Sequence, residues 1–99
     1  MRFYISGGIS GLPDLNRAAF AAETARLRAL GHTVINPHEI WQPEPNDWSV
    51  CMRHDIAQLV LCHSISMLPG WRESRGATLE HYIAVALGMT VIEYEQVTA

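Results

Sequence analysis

Lysine is absent from this chain. All seven basic residues are arginine, set against ten aspartates and glutamates, for a net charge of −3. An acidic domain without a basic cluster is poorly made to grip a polyanion, so DNA or RNA as a polymer partner is not expected. Cysteine is scarce. Its two copies, Cys51 and Cys62, stand inside apolar helical sequence and not at the spacings of a disulfide framework, which points to a reducing, cytoplasmic setting. No apolar run approaches the ~18 residues of a membrane helix, and the first residues run directly into strand-like sequence, so neither a membrane span nor a signal peptide is expected. No segment repeats at a fixed period.

What remains is an ordinary globular composition: 99 residues, 48% hydrophobic and 17% charged, enough for one domain and too short for two. A chain this short buries a modest core, so association into a homodimer or higher oligomer is expected to add stability.

Strand and helix signals alternate along the chain. Arg2–Ser6 (RFYIS) is rich in strand formers and is stopped by Gly7-Gly8. After a loop, Asn16 stands as cap of a helix running to Leu30, closed by Gly31. Residues 33–36 (TVIN) form a second strand, stopped by Pro37. Asp47 caps a second helix, from Trp48 to about Leu61. Residues 64–68 (SISML) are a third strand ending at Pro69-Gly70, Ser74 opens a third helix closed by Gly88, and residues 90–94 form a fourth strand. The Pro-rich residues 37–46, which carry Trp41, are the one loop long enough for a lid. Single helices between strands imply parallel pairing with right-handed crossovers. The expectation is a small α/β, flavodoxin- or Rossmann-like three-layer domain: a four-stranded parallel sheet in order 2-1-3-4 with three helices. Ligands in such sheets bind beyond the carboxyl ends of the strands where the order reverses, here between strands one and three.

Two carboxylates fall on the wrong faces of their helices. At ~100° per residue, Ala77, Glu80, Ile83, Ala84 and Leu87 share one stripe of the third helix. On the second helix, Trp48, Met52, Ile56 and Leu59 define an apolar arc that contains Asp55, with Arg53, His54 and Gln58 outside it. A carboxylate on a buried face costs several kcal/mol unless it is paired, hydrogen-bonded or protonated. A structural ion pair is the ordinary alternative for either residue alone. Paired acids of unequal environment suit a reaction needing a nucleophile and a proton donor, such as cleavage at an anomeric carbon. The third helix also opens on Ser74-Arg75-Gly76-Ala77, whose small side chains leave backbone N–H groups approachable by an anion, with Arg72 and Arg75 adding charge. The ordinary alternative is a Ser cap with solvated arginines.

Other patterns carry less. Gly7-Gly8-Ile9-Ser10-Gly11 is not GxGxxG and opens no helix, so it fails as a dinucleotide fingerprint while still suiting the lining of the same mouth. Cys51-x-x-His54 and Cys62-His63 match no zinc spacing, and neither metal nor other cofactor is expected. His32, His38 and His81 read as polar surface or loop residues. Trp41 and Trp71 both fall in mouth loops, where they suit stacking on a base or packing against a second subunit.

Three blocks in order, Phe3-Tyr4-Ile5-Ser6-Gly7, Arg53-His54-Asp55-Ile56 and Ser74-x-Gly76-x-x-x-Glu80 followed by Ala84, Gly88 and a strand, resemble the nucleoside 2-deoxyribosyltransferase superfamily. It includes deoxynucleoside 5′-monophosphate N-glycosidases and related nucleotide hydrolases. The similarity spans nearly the whole chain, and with Leu68-Pro69-Gly70-Trp71 ahead of the last block the sequence looks most like short bacterial and phage members. The resemblance implies cleavage or transfer at the N-glycosidic bond of a nucleoside or nucleoside 5′-monophosphate. By it, Glu80 matches the nucleophile and Tyr4 a strand-one tyrosine that positions it. Asp55 matches the acid that handles the leaving base, and Ser74 a contact to the 5′-phosphate. Gly7 and Gly76 match close-approach glycines, and Gly8, Ser10, Arg75, Trp41 and Trp71 complete the expected substrate-binding set. The chain departs from the pattern at Ser10, where monophosphate glycosidases often carry an arginine, and offers only Glu73 as the base-recognising acid that transferases place before the last glycine. A non-catalytic nucleotide-binding module, or a hydrolase of NAD-like dinucleotides, is the alternative.

Overall fold

The computed structural model describes residues 1–93. Four strands, β1 (Arg2–Ser6), β2 (Thr33–Ile35), β3 (Ser64–Met67) and β4 (Thr90–Glu93), alternate with three helices, α1 (Arg17–Ala29), α2 (Trp48–Leu59) and α3 (Arg75–Ala86). The sheet is parallel throughout in order β2-β1-β3-β4, as the alternation predicts. No helix among the described residues is long and apolar enough to cross a membrane.

Strand periodicity divides the core into two layers. Phe3 and Ile5 of β1 point to one face and pack with Phe20 and Leu27 of α1, Val34 and Leu68. Tyr4 points to the other face, among Leu59, Ile65, Met67, Trp71, Ala77 and Ala84, beneath α2 and α3. In-register pairing sets Tyr4 beside Ile65 and Ser6 beside Met67, so the side chains of β1 that face α3 are a phenol, then a hydroxymethyl at the strand's carboxyl end.

Helix ends follow local chemistry. Asp47 accepts from the Val50 amide (3.1 Å) and Ser74 from the Ala77 amide (3.2 Å), as caps should. α1 and α3 close on Gly31 and Gly88, both at positive φ, with the amide two residues past the cap returning to Leu27 and Ala84 respectively.

Five expectations are corrected. Asn16 does not cap α1 with its side chain: it lies at φ 59°, the last of three consecutive left-handed residues with Asp14 and Leu15, and its amide donates to the Gly8 carbonyl (3.0 Å). α2 stops at Leu59, leaving Val60 and Leu61 exposed in the turn. Leu87 falls beyond the end of α3, and so is exposed and outside the buried stripe. β2 and β3 each end one residue early: the Asn36 side chain accepts from the His38 amide, and Leu68 lies past the last residue of β3 while still packing in the α1-facing core. Of residues 90–94, Tyr94 lies outside the described residues.

Candidate active site

A cavity of about 960 Å³ opens beyond the carboxyl end of β1, between the segments that follow β1 and β2 and the helices α2 and α3; no residue of β3 or of 68–73 lines it. β1 and its loop form its floor, the start of α3 one wall, and one face of α2 with residues 37–46 the other. Tyr4, Asp55, Glu80, Gly7, Ser10, Ser74, Arg75, Gly76 and Trp41 all line it.

Glu80 is the centre of this arrangement. It is 4% exposed and reaches from α3 to β1, where the Tyr4 hydroxyl donates to Oε2 (2.5 Å) and the Ser6 hydroxyl to Oε1 (2.7 Å). Alternation along the strand puts both hydroxyls on the same face. No cation pairs with Glu80 among the described residues. Burial therefore pushes its carboxyl up to about 7, although the two hydroxyls pull the other way. Tyr4 is itself held well above the usual phenol range, by burial and then by Glu80, and so stays a neutral donor.

The other face of the sheet carries a useful contrast. Glu23 of α1 is equally buried, but Arg26 grips both its oxygens (2.6 and 2.9 Å) and Ser66 donates to one of them. Burial opposes ionisation there, yet those partners hold its carboxyl below the usual range. Glu23 is thus an ion-paired carboxylate. Glu80 is held by neutral hydroxyls and opens on a cavity.

Asp55 lies on the cavity face of α2. It follows Trp48 and Met52 at helical spacing, and all three line the cavity. Burial pushes its carboxyl up to about 6, opposed by a hydrogen bond from the Gln42 amide (3.0 Å). Its negative charge and that of Glu80 disfavour each other.

At the mouth, the Arg75 guanidinium lies 3.8 Å from the Trp48 ring centre, which fixes an otherwise mobile cation beside Ser74. Gly76 admits this packing: a Cβ there would sit 3.1 Å from Met52 Sδ. Gly7 is tighter, since a Cβ would stand 2.9 Å from both Cβ and Cδ1 of Leu68. The Leu68 Cβ is tied to the backbone and cannot swing aside. Gly7→Ala is accordingly expected to cost about 1–3 kcal/mol of stability by overpacking, read from the midpoint of urea denaturation.

Two expected binding residues are elsewhere. Trp71 is buried away from the cavity because Gly70, at φ 81°, and the 3-10 turn Trp71–Glu73 fold it under α3. There it stacks on His81 (4.3 Å between ring centres) and donates to Glu93 Oε1 (2.9 Å), pinning the start of α3 to β4. Gly8 is buried behind the loop, its missing Cβ space filled by Leu12 Cδ1 at 2.8 Å. Pro69 and Gly70 also turn away, and the third loop reaches the mouth only at Ser74. Conversely, Ser6, Gln42, Arg17 and Trp48 belong to the site or its rim without having been singled out for it. For Ser6 the signal was present, two residues from Tyr4 in a strand; for Gln42 a Pro-rich loop offers no periodicity to read.

No curated protein matches the chain by sequence. Residues 1–93 match DUF4406, a domain of unknown function, and the chain belongs to that family.

Proposed function

We propose that this chain cleaves, or transfers at, the N-glycosidic bond of nucleosides or nucleoside 5′-monophosphates. The observation that carries this reading is Glu80: a buried carboxylate with no cation partner among the described residues, held by two hydroxyls of β1 and sharing a cavity with a second raised acid, Asp55. The motif resemblance to the nucleoside 2-deoxyribosyltransferase superfamily, carried by the same residues, supports it.

In the proposed reaction the ionised Glu80 attacks C1′, and the C1′–N bond breaks with its electron pair passing to the base. Asp55 gives its proton to the departing nitrogen. Tyr4 and Ser6 hold the carboxylate on line, so little freedom is lost at the moment of attack. Water, or a second base, then displaces Glu80 from C1′ and releases the sugar. Incubation with a panel of nucleosides and nucleoside 5′-monophosphates, read by chromatography for free base, tests the reading: free base supports it, and ligand recovered intact contradicts it.

The 5′-phosphate is assigned to the mouth beside Ser74 and Arg75. The Ser74 oxygen already accepts from Ala77, which leaves its O–H free to donate. Monophosphates are expected to bind more tightly than nucleosides, and Ser74→Ala to reduce that ratio by about 10–150-fold, the worth of a charge-assisted hydrogen bond. Calorimetry on both ligands isolates the effect, because a weakened helix cap cancels in the ratio. Equal affinities in the parent protein would remove the phosphate from the reading.

Assembly as a homodimer or higher oligomer remains part of the proposal. Leu79, Tyr82 and Val85 leave an apolar patch exposed on α3.

A further inference from the structure

Gln42 stands in the Pro-rich stretch of residues 37–46 and reaches the site with its side chain. Its amide is used at both ends. Nε2 donates to Asp55 Oδ1 (3.0 Å), and Oε1 faces His54 Nδ1 at 3.1 Å. An ionised carboxylate only accepts, so the amide turns NH2 towards Asp55 and Oε1 towards His54, and an imidazole carrying its hydrogen on Nδ1 completes and holds that orientation. Asp55 is buried and borders the cavity, and Oδ2 has no protein hydrogen bond among the described residues. The other titratable groups acting on this carboxyl's surroundings are Glu80 from α3, Tyr4 from β1 and Cys51 from its own helix.

We infer that Gln42, oriented by His54, is a positioning residue for the departure of the base: its N–H on Oδ1 confines the transferable proton of Asp55 to Oδ2. A proton on Oδ1 would set O–H against N–H, donor facing donor, so the neutral acid carries its hydrogen on the open oxygen. When the C1′–N bond of the proposed reaction breaks, that hydrogen passes from Oδ2 to the base nitrogen. The sugar stays on Glu80, and the new Asp55 carboxylate keeps the Gln42 hydrogen bond. This rests on the proposed glycosidic reaction. It adds that the loop of residues 37–46 supplies the group that aims the acid.

The test uses the full chain with Gln42→Leu, close in shape but without the amide, and Asp55→Asn as reference. Each is assayed on a nucleotide the parent cleaves and on its counterpart with a base that departs without a proton: an N7-methylpurine, or 5-nitrouracil in the pyrimidine series. Gln42→Leu is expected to slow the ordinary substrate about 10–100-fold and the activated one less than about 3-fold, with Asp55→Asn showing the same split more strongly. Equal losses on both substrates would make Gln42 a packing residue of the loop and overturn the inference. A second readout needs no turnover. In the ligand-free protein, the Asp55 carboxyl followed by ¹³C NMR is expected to titrate at higher pH in Gln42→Leu, since the lost N–H favours the charged form. An unmoved midpoint overturns the inference. A midpoint that moves in a protein cleaving neither substrate upholds the hold of Gln42 on Asp55 and defeats the glycosidic reading instead.

Discussion

Glu80→Gln is expected to lower turnover by at least about four orders of magnitude while leaving a protein that folds as well as the parent, and better at alkaline pH. Gln matches Glu in size and can still meet the hydroxyls of Tyr4 and Ser6, but it offers no anionic oxygen to C1′. The stability half follows from the carboxyl's shift. Glu80 titrates at about 7 in the folded chain against an ordinary 4.5. Below the lower value both states hold the proton and the shift costs nothing. Between the two, the folded state binds a proton that the unfolded state has released, so stability falls as pH rises through this window. Above about 7 the penalty is constant, on the order of 3 kcal/mol from a shift of this size. The Gln variant carries no such penalty. Its advantage should therefore be near zero at pH 4 and approach that figure at pH 8, as measured by denaturant unfolding at both. A structural Glu80 gives the opposite pattern: a less stable variant whose folded molecules keep their activity.

Asp55→Asn should cost about 10²–10³ in kcat/KM with an ordinary base as leaving group, the usual worth of a placed general acid. The pH profile makes this specific. Glu80, pushed up to about 7, must be ionised to attack, and Asp55, pushed up to about 6, must hold its proton to assist departure. The parent's kcat/KM is then bell-shaped, with its maximum between these values. The acid limb reports protonation of Glu80 and the alkaline limb the loss of the Asp55 proton, although the two groups interact and the limbs belong to the pair. Asp55→Asn removes the alkaline limb and leaves the acid one. A variant that keeps both limbs would show that another group donates the proton.

Sheet order was legible because strand and helix signals alternate so regularly, and Asp55 and Glu80 stood out as charged residues at apolar positions of otherwise regular helices. Tyr4 was named through the motif resemblance alone, since nothing in a five-residue strand marks a tyrosine as more than core. Two facts decided in space were not legible. That the apolar face of α2 borders a cavity at Asp55, and that Glu80 meets Ser6 across the space between β1 and α3, are set by how the elements pack. Loops were the weakest ground. Trp71 looks like a mouth aromatic by its place after Pro69-Gly70, but a positive φ at Gly70 and one 3-10 turn carry it into the core. Gln42 carries no signal at all, since its role depends on a loop folding back to reach Asp55 and His54. Asn16 shows the opposite failure: a favourable capping residue whose backbone is left-handed, so its side chain serves Gly8 instead.

The central claim is that Glu80 becomes covalently attached to the sugar, and the most direct measurement is mass analysis of protein quenched in acid during turnover of a nucleotide it cleaves, followed by digestion and peptide mapping. The account predicts a peptide heavier by one glycosyl residue, with the added mass on Glu80, and no such peptide from Glu80→Gln. Free base released by the Gln variant at the parent's rate, or a glycosyl residue found on another side chain, would contradict it.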